Sequence, residues 1–176
     1  MQRQDSIETF INQWKRERPD LDPWPVGILG RTQRISVHLQ TRAAKWLEPL
    51  GLTWDSFSLL LALRRSGEPY ELRPTEIYKE SLLSSGAITN RIDKVEKKGW
   101  VKRYDSPDDR RGVVVRLTAA GRAVADKAVE VHFRELAAQL SKISKKERQM
   151  LLELLGKVLE NLEATDRARA QSGQPG

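Results

Sequence analysis

The chain has 176 residues, enough to bury one core, and carries 31 Lys plus Arg against 24 Asp plus Glu, a formal charge of +7. Hydrophobic residues make up 39% and charged residues 31%, a balance that suits a soluble, charge-rich helical protein and not a disordered or membrane one. With no cysteine, the sequence excludes disulfides, thiol nucleophiles, Cys-based zinc sites and thiol redox switches, and the only histidines, His38 and His132, fall in different helical stretches, which gives a His-based metal site no support.

From Ser6 to about Arg16 the chain places Ile7, Phe10, Ile11 and Trp14 at helical spacing, with Ser6 as N-cap and Pro19 and Pro23 as stops. A longer helix is expected from about Pro25 to Leu47, with Ile28, Leu29, Ile35 and Leu39 as its apolar contacts and Pro49 and Gly51 at its end. Thr53 caps a third helix, whose Phe57, Leu60, Leu61 and Leu63 form a broad apolar face, and Gly67 closes it. Pro74 suits the first turn of a short helix, although the cap position holds Arg73, which has no acceptor oxygen. Ser84 reads as the N-cap of a further helix that ends near Lys98, with Gly99 as its left-handed stop. Two helices across a tight turn make a helix-turn-helix.

After Gly99 the period changes. Trp100 to Tyr104 and Gly112 to Leu117 are β-rich, and the Asp- and Pro-containing run between them suits a hairpin with a charged tip. Thr118 caps a long helix to about Leu140, and Ser144 caps another from Lys145 to about Thr165. In the latter, Leu151, Leu155, Val158 and Leu162 form a stripe widened by Leu152, Leu154 and Leu159. Such a stripe is too broad for a solvated helix and calls for a partner subunit. The tail over residues 167–176 has nothing to bury and is expected to be frayed or disordered. No apolar run reaches transmembrane length and the N-terminus lacks a signal peptide's apolar stretch, so a cytoplasmic protein is expected.

A helix-turn-helix followed by a charged hairpin is a winged helix. On the helix from Ser84, Ile88, Ile92 and Val95 cluster within about 60° of one another and must face the core. Asn90, Asp93, Lys94 and Lys97 point away, with Ser85 and Thr89 near the exposed N-terminal end. Hydroxyl and amide groups there suit base edges in a major groove, and lysines suit phosphates; an ordinary solvated face has the same composition. At the hairpin tip Arg110 and Arg111 follow Asp108 and Asp109, so an Asp two positions before an Arg can hold that guanidinium extended for a minor groove.

The run from Leu72 to Gly121, LRPTEIYKESLLSSGAITNRIDKVEKKGWVKRY followed by SPDDRRGVVVRLTAAG, resembles the MarR family of bacterial transcription regulators. The D-x-R of the wing, the apolar strand and the L-T-x-x-G carry the match, and the flanking helices follow the family's order. The resemblance implies a mainly α fold with a small β-hairpin wing. It also implies a homodimer built by residues 24–52 and 118–166, a DNA-binding winged helix-turn-helix at 53–117, and an extra helix and linker at 1–23, all in one structural domain. It implies that Arg110 enters the minor groove.

The Trp-bearing first helix followed by E-R-P-D-L-D is similar to the urate-responsive branch of that family. The branch's effector pocket uses a Trp, an Asp and two Arg, which fall here on Trp14, Ser58, Arg91 and Arg103. Ser58 stands where the branch has Asp, which favours a carboxylate-bearing aromatic over urate; Asp55 lies one turn earlier. Arg91 flanks the apolar cluster of its helix, so it can turn inward to a ligand anion or outward to phosphate, or pair with Asp93 or Glu96. Trp14 also suits packing of the first helix, and Arg103 a strand-edge charge.

These readings converge on a ligand-responsive regulator, most simply a repressor released from a pseudo-palindromic duplex operator by a small anionic aromatic molecule, with no cofactor. An enzyme is disfavoured, since no Ser-His-Asp grouping, P-loop or Gly-rich phosphate cradle is present. The alternatives are a winged-helix protein-interaction module and a DNA-binding regulator without a small-molecule effector.

Overall fold

The structure, a computed structural model, describes residues 5–80, 88–105 and 112–172. The expected cap Ser84 and the expected DNA contacts Ser85, Arg110 and Arg111 lie outside the described residues. Two compact units divide the chain, residues 1–132 and residues 133–176.

Helix α1 (Ser6–Glu17) packs on α2 (Trp24–Leu47) through buried Ile7 and Ile11. Its N-cap is Asp5 and not Ser6, because the Asp5 carboxylate accepts hydrogen bonds from the backbone N–H groups of Ile7 and Glu8, both at 2.9 Å. The same carboxylate pairs with Arg31 of α2 at 2.8 Å, and Glu8 joins that guanidinium at 2.9 Å. These pulls hold the Asp5 carboxyl below its usual range, the Arg31 hydrogen bond contributing most. Helix α2 ends in a 3₁₀ turn, Glu48–Leu50, and Gly51 (φ 68°) takes the left-handed stop.

Thr53 caps α3 (Trp54–Arg65) as the sequence suggested, and the structure adds a reciprocal capping box with Ser56. Helix α4 (Pro74–Glu80) solves the cap that Arg73 cannot make. The Glu76 carboxylate accepts the Arg73 N–H at 2.7 Å, and Ile77 is fully buried. Helix α5 (Ile88–Lys97) ends with Gly99 at φ 72°. Numbered in chain order, β1 (Glu71–Leu72), β2 (Val101–Asp105) and β3 (Val113–Leu117) form an antiparallel sheet with β3 in the centre. The expected hairpin strands are β2 and β3, and the two-residue β1 precedes α4. Arg116 lies opposite both Glu71 and Lys102, and Val115 opposite both Leu72 and Arg103.

Thr118 caps α6 (Ala119–Gln139) by accepting the Gly121 N–H at 3.0 Å, and its hydroxyl donates to the Gly99 carbonyl at 2.6 Å. The core of the first unit gathers Leu47 of α2, Phe57, Leu60 and Leu63 of α3, Ile77 of α4, Ile92 and Val95 of α5, Val101, Val115 and Leu117 of the sheet and Ala125 and Ala128 of α6. His132, on the part of α6 in this unit, packs against the rings of Phe57 and Trp46 with centroids 5.0 and 5.1 Å away, and Trp54 lies at 6.3 Å. In the second unit, Ser144 and Glu147 exchange hydrogen bonds at the start of α7 (Lys145–Ser172). That helix runs past the expected end near Thr165, because the Ala- and Arg-rich run before Gly173 holds no breaker.

Candidate nucleic-acid interface

Helix α5 is oriented by what it buries. Ile92 and Val95 are each 1% exposed, Ile88 is half-buried against the same core, and α3 and α4 pack beneath. The remaining surface of the helix presents Thr89, Asn90, Lys94 and Lys97 to solvent, all of them expected DNA contacts. An exposed face with a hydroxyl, an amide and two ammonium groups has donors and acceptors for base edges and cations for phosphates.

The strand after α5 is fastened to it. The Arg103 guanidinium of β2 binds Asp93 Oδ1 at 2.5 Å and, in a second short contact, Glu96 Oε2. The Arg103 backbone N–H donates to Glu96 Oε1 at 3.1 Å. Burial opposes the charge of Arg103, but the hydrogen bond and attraction to Asp93 and Glu96 outweigh it and raise its pKa above the ordinary value. The two acids that the sequence left open as partners of Arg91 are thus engaged by Arg103.

Arg91 faces the other way. Its Nε lies 3.0 Å from Asp55 Oδ2 in the first turn of α3. At 100° per residue, Arg91 is about 140–160° around the helix from Glu96 and Asp93, so the two arginines are engaged on opposite flanks of α5. Arg91 and Asp55 border a pocket of about 320 Å³ between the start of α3 and α5, lined also by Lys94, Val95, Lys97 and Lys98. Lys98 is fixed at its rim, donating to the Gly51 carbonyl at 2.5 Å with its ammonium 4.5 Å from the Trp100 ring centre. The sequence reading assigned no role to Lys98, yet Arg91, Lys94, Val95 and Lys98 recur at i, i+3, i+4 and i+7, the spacing of one helical stripe.

The other two expected effector contacts lie elsewhere in the first unit. Trp14 is half-exposed on α1 and borders a groove with Phe10, Arg16 and Val26. Ser58 of α3 is 6% exposed, the one buried polar side chain among the described residues. No group of three or more metal-ligating side chains is found among the described residues, and no described helix is long and apolar enough to cross a membrane.

A helix presented by two others, with a three-stranded sheet at its C-terminal side, defines a winged-helix protein. Residues 52–113 match the MarR family. The HTH-type transcriptional regulator PecS of Dickeya dadantii is 33% identical over 89% of this chain and 94% of PecS, and the multiple antibiotic resistance protein MarR of Escherichia coli is 34% identical over 65% of this chain and 78% of MarR. A crystal structure of an E. coli MarR mutant complexed with operator DNA superimposes with a TM-score of 0.66 at 28% identity, covering 83% of this chain and 97% of that one. The chain belongs to the MarR family and is a winged-helix DNA-binding transcriptional regulator.

Proposed function

We propose that the protein is a homodimeric repressor that holds a pseudo-palindromic duplex operator and releases it when a small anionic aromatic ligand binds. The observation that carries the reading is the outward face of α5, where Thr89, Asn90, Lys94 and Lys97 are exposed opposite the buried Ile92 and Val95. The E. coli MarR mutant crystallised with operator DNA supports duplex DNA as the partner. The second unit supports self-association: Leu151, Leu152, Leu154, Leu155, Leu159 and Leu162 of α7 are each at least 41% exposed, an apolar face that needs a cover. Two-fold symmetry then sets half-sites about one helical turn apart.

The test is salt-dependent binding to duplexes enriched from a random-sequence library on the full chain. Phosphate contacts release counterions, so the logarithm of the affinity is expected to fall linearly with the logarithm of salt, with a slope of about −0.9 per neutralised phosphate. Arg110→Ala is expected to weaken binding by about 1–3 kcal/mol at unchanged fold and assembly. Binding without salt dependence overturns the reading in favour of a protein-interaction module.

A further inference from the structure

We propose that Tyr70 is a positioning residue for duplex binding, whose left-handed backbone and arginine-held ring set how the helix-turn-helix and the hairpin stem sit on α6. The proposal rests on the duplex-binding reading and adds to it a residue that is not on the outward face of α5.

Tyr70 stands at φ 60°, the one non-glycine residue with positive φ among the described residues. A bulky side chain is disfavoured in that region, so its surroundings must hold it there. The backbone does part of this. The Tyr70 N–H donates to the Gly67 carbonyl at 2.6 Å, and the Tyr70 carbonyl accepts the Leu117 N–H at 3.1 Å from the end of β3. The ring does the rest. The guanidinium carbon of Arg64 in α3 lies 4.8 Å from the ring centre, and that of Arg122 in α6 lies 4.7 Å from it. Two cations at one ring need counter-charge. Asp126 supplies it, 2.5 Å from Arg64 Nε and 3.9 Å from Arg122 Nε. Glu68 lies 3.6 Å from Arg122 Nη1 and accepts the Tyr70 hydroxyl at 3.2 Å.

This cluster returns little stability for the strain. The side chains of Arg64, Asp126, Arg122 and Glu68 are 31%, 42%, 46% and 75% exposed, and water screens ion pairs so open. Glycine or asparagine would close the same turn with less strain. Strain kept at a weak cluster makes geometry, and not stability, the tyrosine's contribution.

What it fixes follows from its place in the chain. Tyr70 immediately precedes β1, which leads into α4 and α5, and its carbonyl holds the end of β3, the returning strand of the hairpin. Its ring ties that junction to α3 and to the first turns of α6. Where two α5 helices must meet grooves a fixed distance apart, a junction set before binding spares the cost of ordering it during binding.

The experiment measures affinity by anisotropy at several salt concentrations, on the duplex enriched from the random-sequence library, beside urea midpoints of the same proteins. Tyr70→Asn puts a residue that tolerates the left-handed backbone in place and removes the ring. It is expected to stay folded and to bind about tenfold more weakly at the parent's salt slope, because the ring contacts are lost and no phosphate contact is. Tyr70→Phe keeps the ring and is expected to bind within about twofold of the parent. Arg122→Gln removes one guanidinium from a half-exposed position and is expected to weaken binding about threefold at unchanged slope. The proposal is overturned if folded Tyr70→Asn binds as tightly as the parent, or if Arg122→Gln does so where the Asn variant does not fold; Tyr70 is then structural only. A slope that falls by about one along with the affinity marks a direct phosphate contact and overturns it too. So does a Tyr70→Phe variant as weak as Tyr70→Asn. A parent that binds no duplex overturns the duplex-binding reading and this proposal together, whereas every other outcome leaves that reading standing.

Discussion

The Trp100 carbonyl oxygen occupies the space in which a side chain on Gly121 would begin. A Cβ placed on Gly121 falls 1.8 Å from that oxygen and 2.7 Å from its carbon. The contact is backbone on backbone, so no rotamer change relieves it. Thr118, three residues earlier, draws the start of α6 onto the same turn through its hydrogen bond to Gly99. Gly121→Ala is therefore expected to cost about 3 kcal/mol or more by forcing α6 off the turn. Urea denaturation checks this; a variant within about 0.5 kcal/mol of the parent would show that the approach is looser than described.

Arg103→Gln is expected to loosen the wing base while preserving the core. It removes the cation between Asp93 and Glu96 and leaves two carboxylates near each other on α5. The side chain is 31% exposed and solvent screens the pairs, so the loss in stability is about 1 kcal/mol. The sharper readout is hydrogen exchange: β2 amides are expected to exchange faster while those of α6 do not change. Equal protection in both would show that Arg103 does not fasten the strand.

Acid is expected to weaken the fold through His132. Burial pushes its pKa below the ordinary value of 6.5, so the folded protein holds the ring neutral where the unfolded chain takes up a proton. Stability contributed by the neutral ring is present above pH 6.5 and declines as the pH falls from there through the folded pKa. Urea midpoints at pH 7.5 and 5.5 measure it for the parent and for His132→Phe. The parent is expected to lose more between them than the variant; parallel losses would place the proton uptake elsewhere.

Removing residues 145–176 is expected to abolish self-association and operator binding together. The exposed leucines of α7 go with that segment. Sedimentation of the truncated chain checks the first effect and anisotropy with duplex the second. A truncated monomer that grips the full operator as tightly as the parent contradicts the dimer reading.

Much of the fold was readable because it rests on local chemistry. Thr53, Thr118 and Ser144 announce their helices through one hydroxyl each, and Ile88, Ile92 and Val95 orient α5 by spacing alone. What was not readable depended on partners distant in sequence. Strand β1 is two residues long, too short for any alternation, and exists because β3 offers it an edge. The choice of Asp5 over Ser6 as cap reflects Arg31, which holds the carboxylate from another helix. The same holds at the site. Spacing put Arg91 on the flank of its helix, but its partner Asp55 lies on α3, and the nearer acids are held by Arg103.

The order of the sheet has a mechanical consequence. Strand β1 enters the α4–α5 segment and β2 leaves it, yet both are hydrogen-bonded to the single strand β3. Both ends of the helix pair are therefore clasped to one bar, with Arg116 opposite Glu71 on one side and Lys102 on the other. A tilt of α4 or α5 that pulls on either end therefore loads the same central strand, β3.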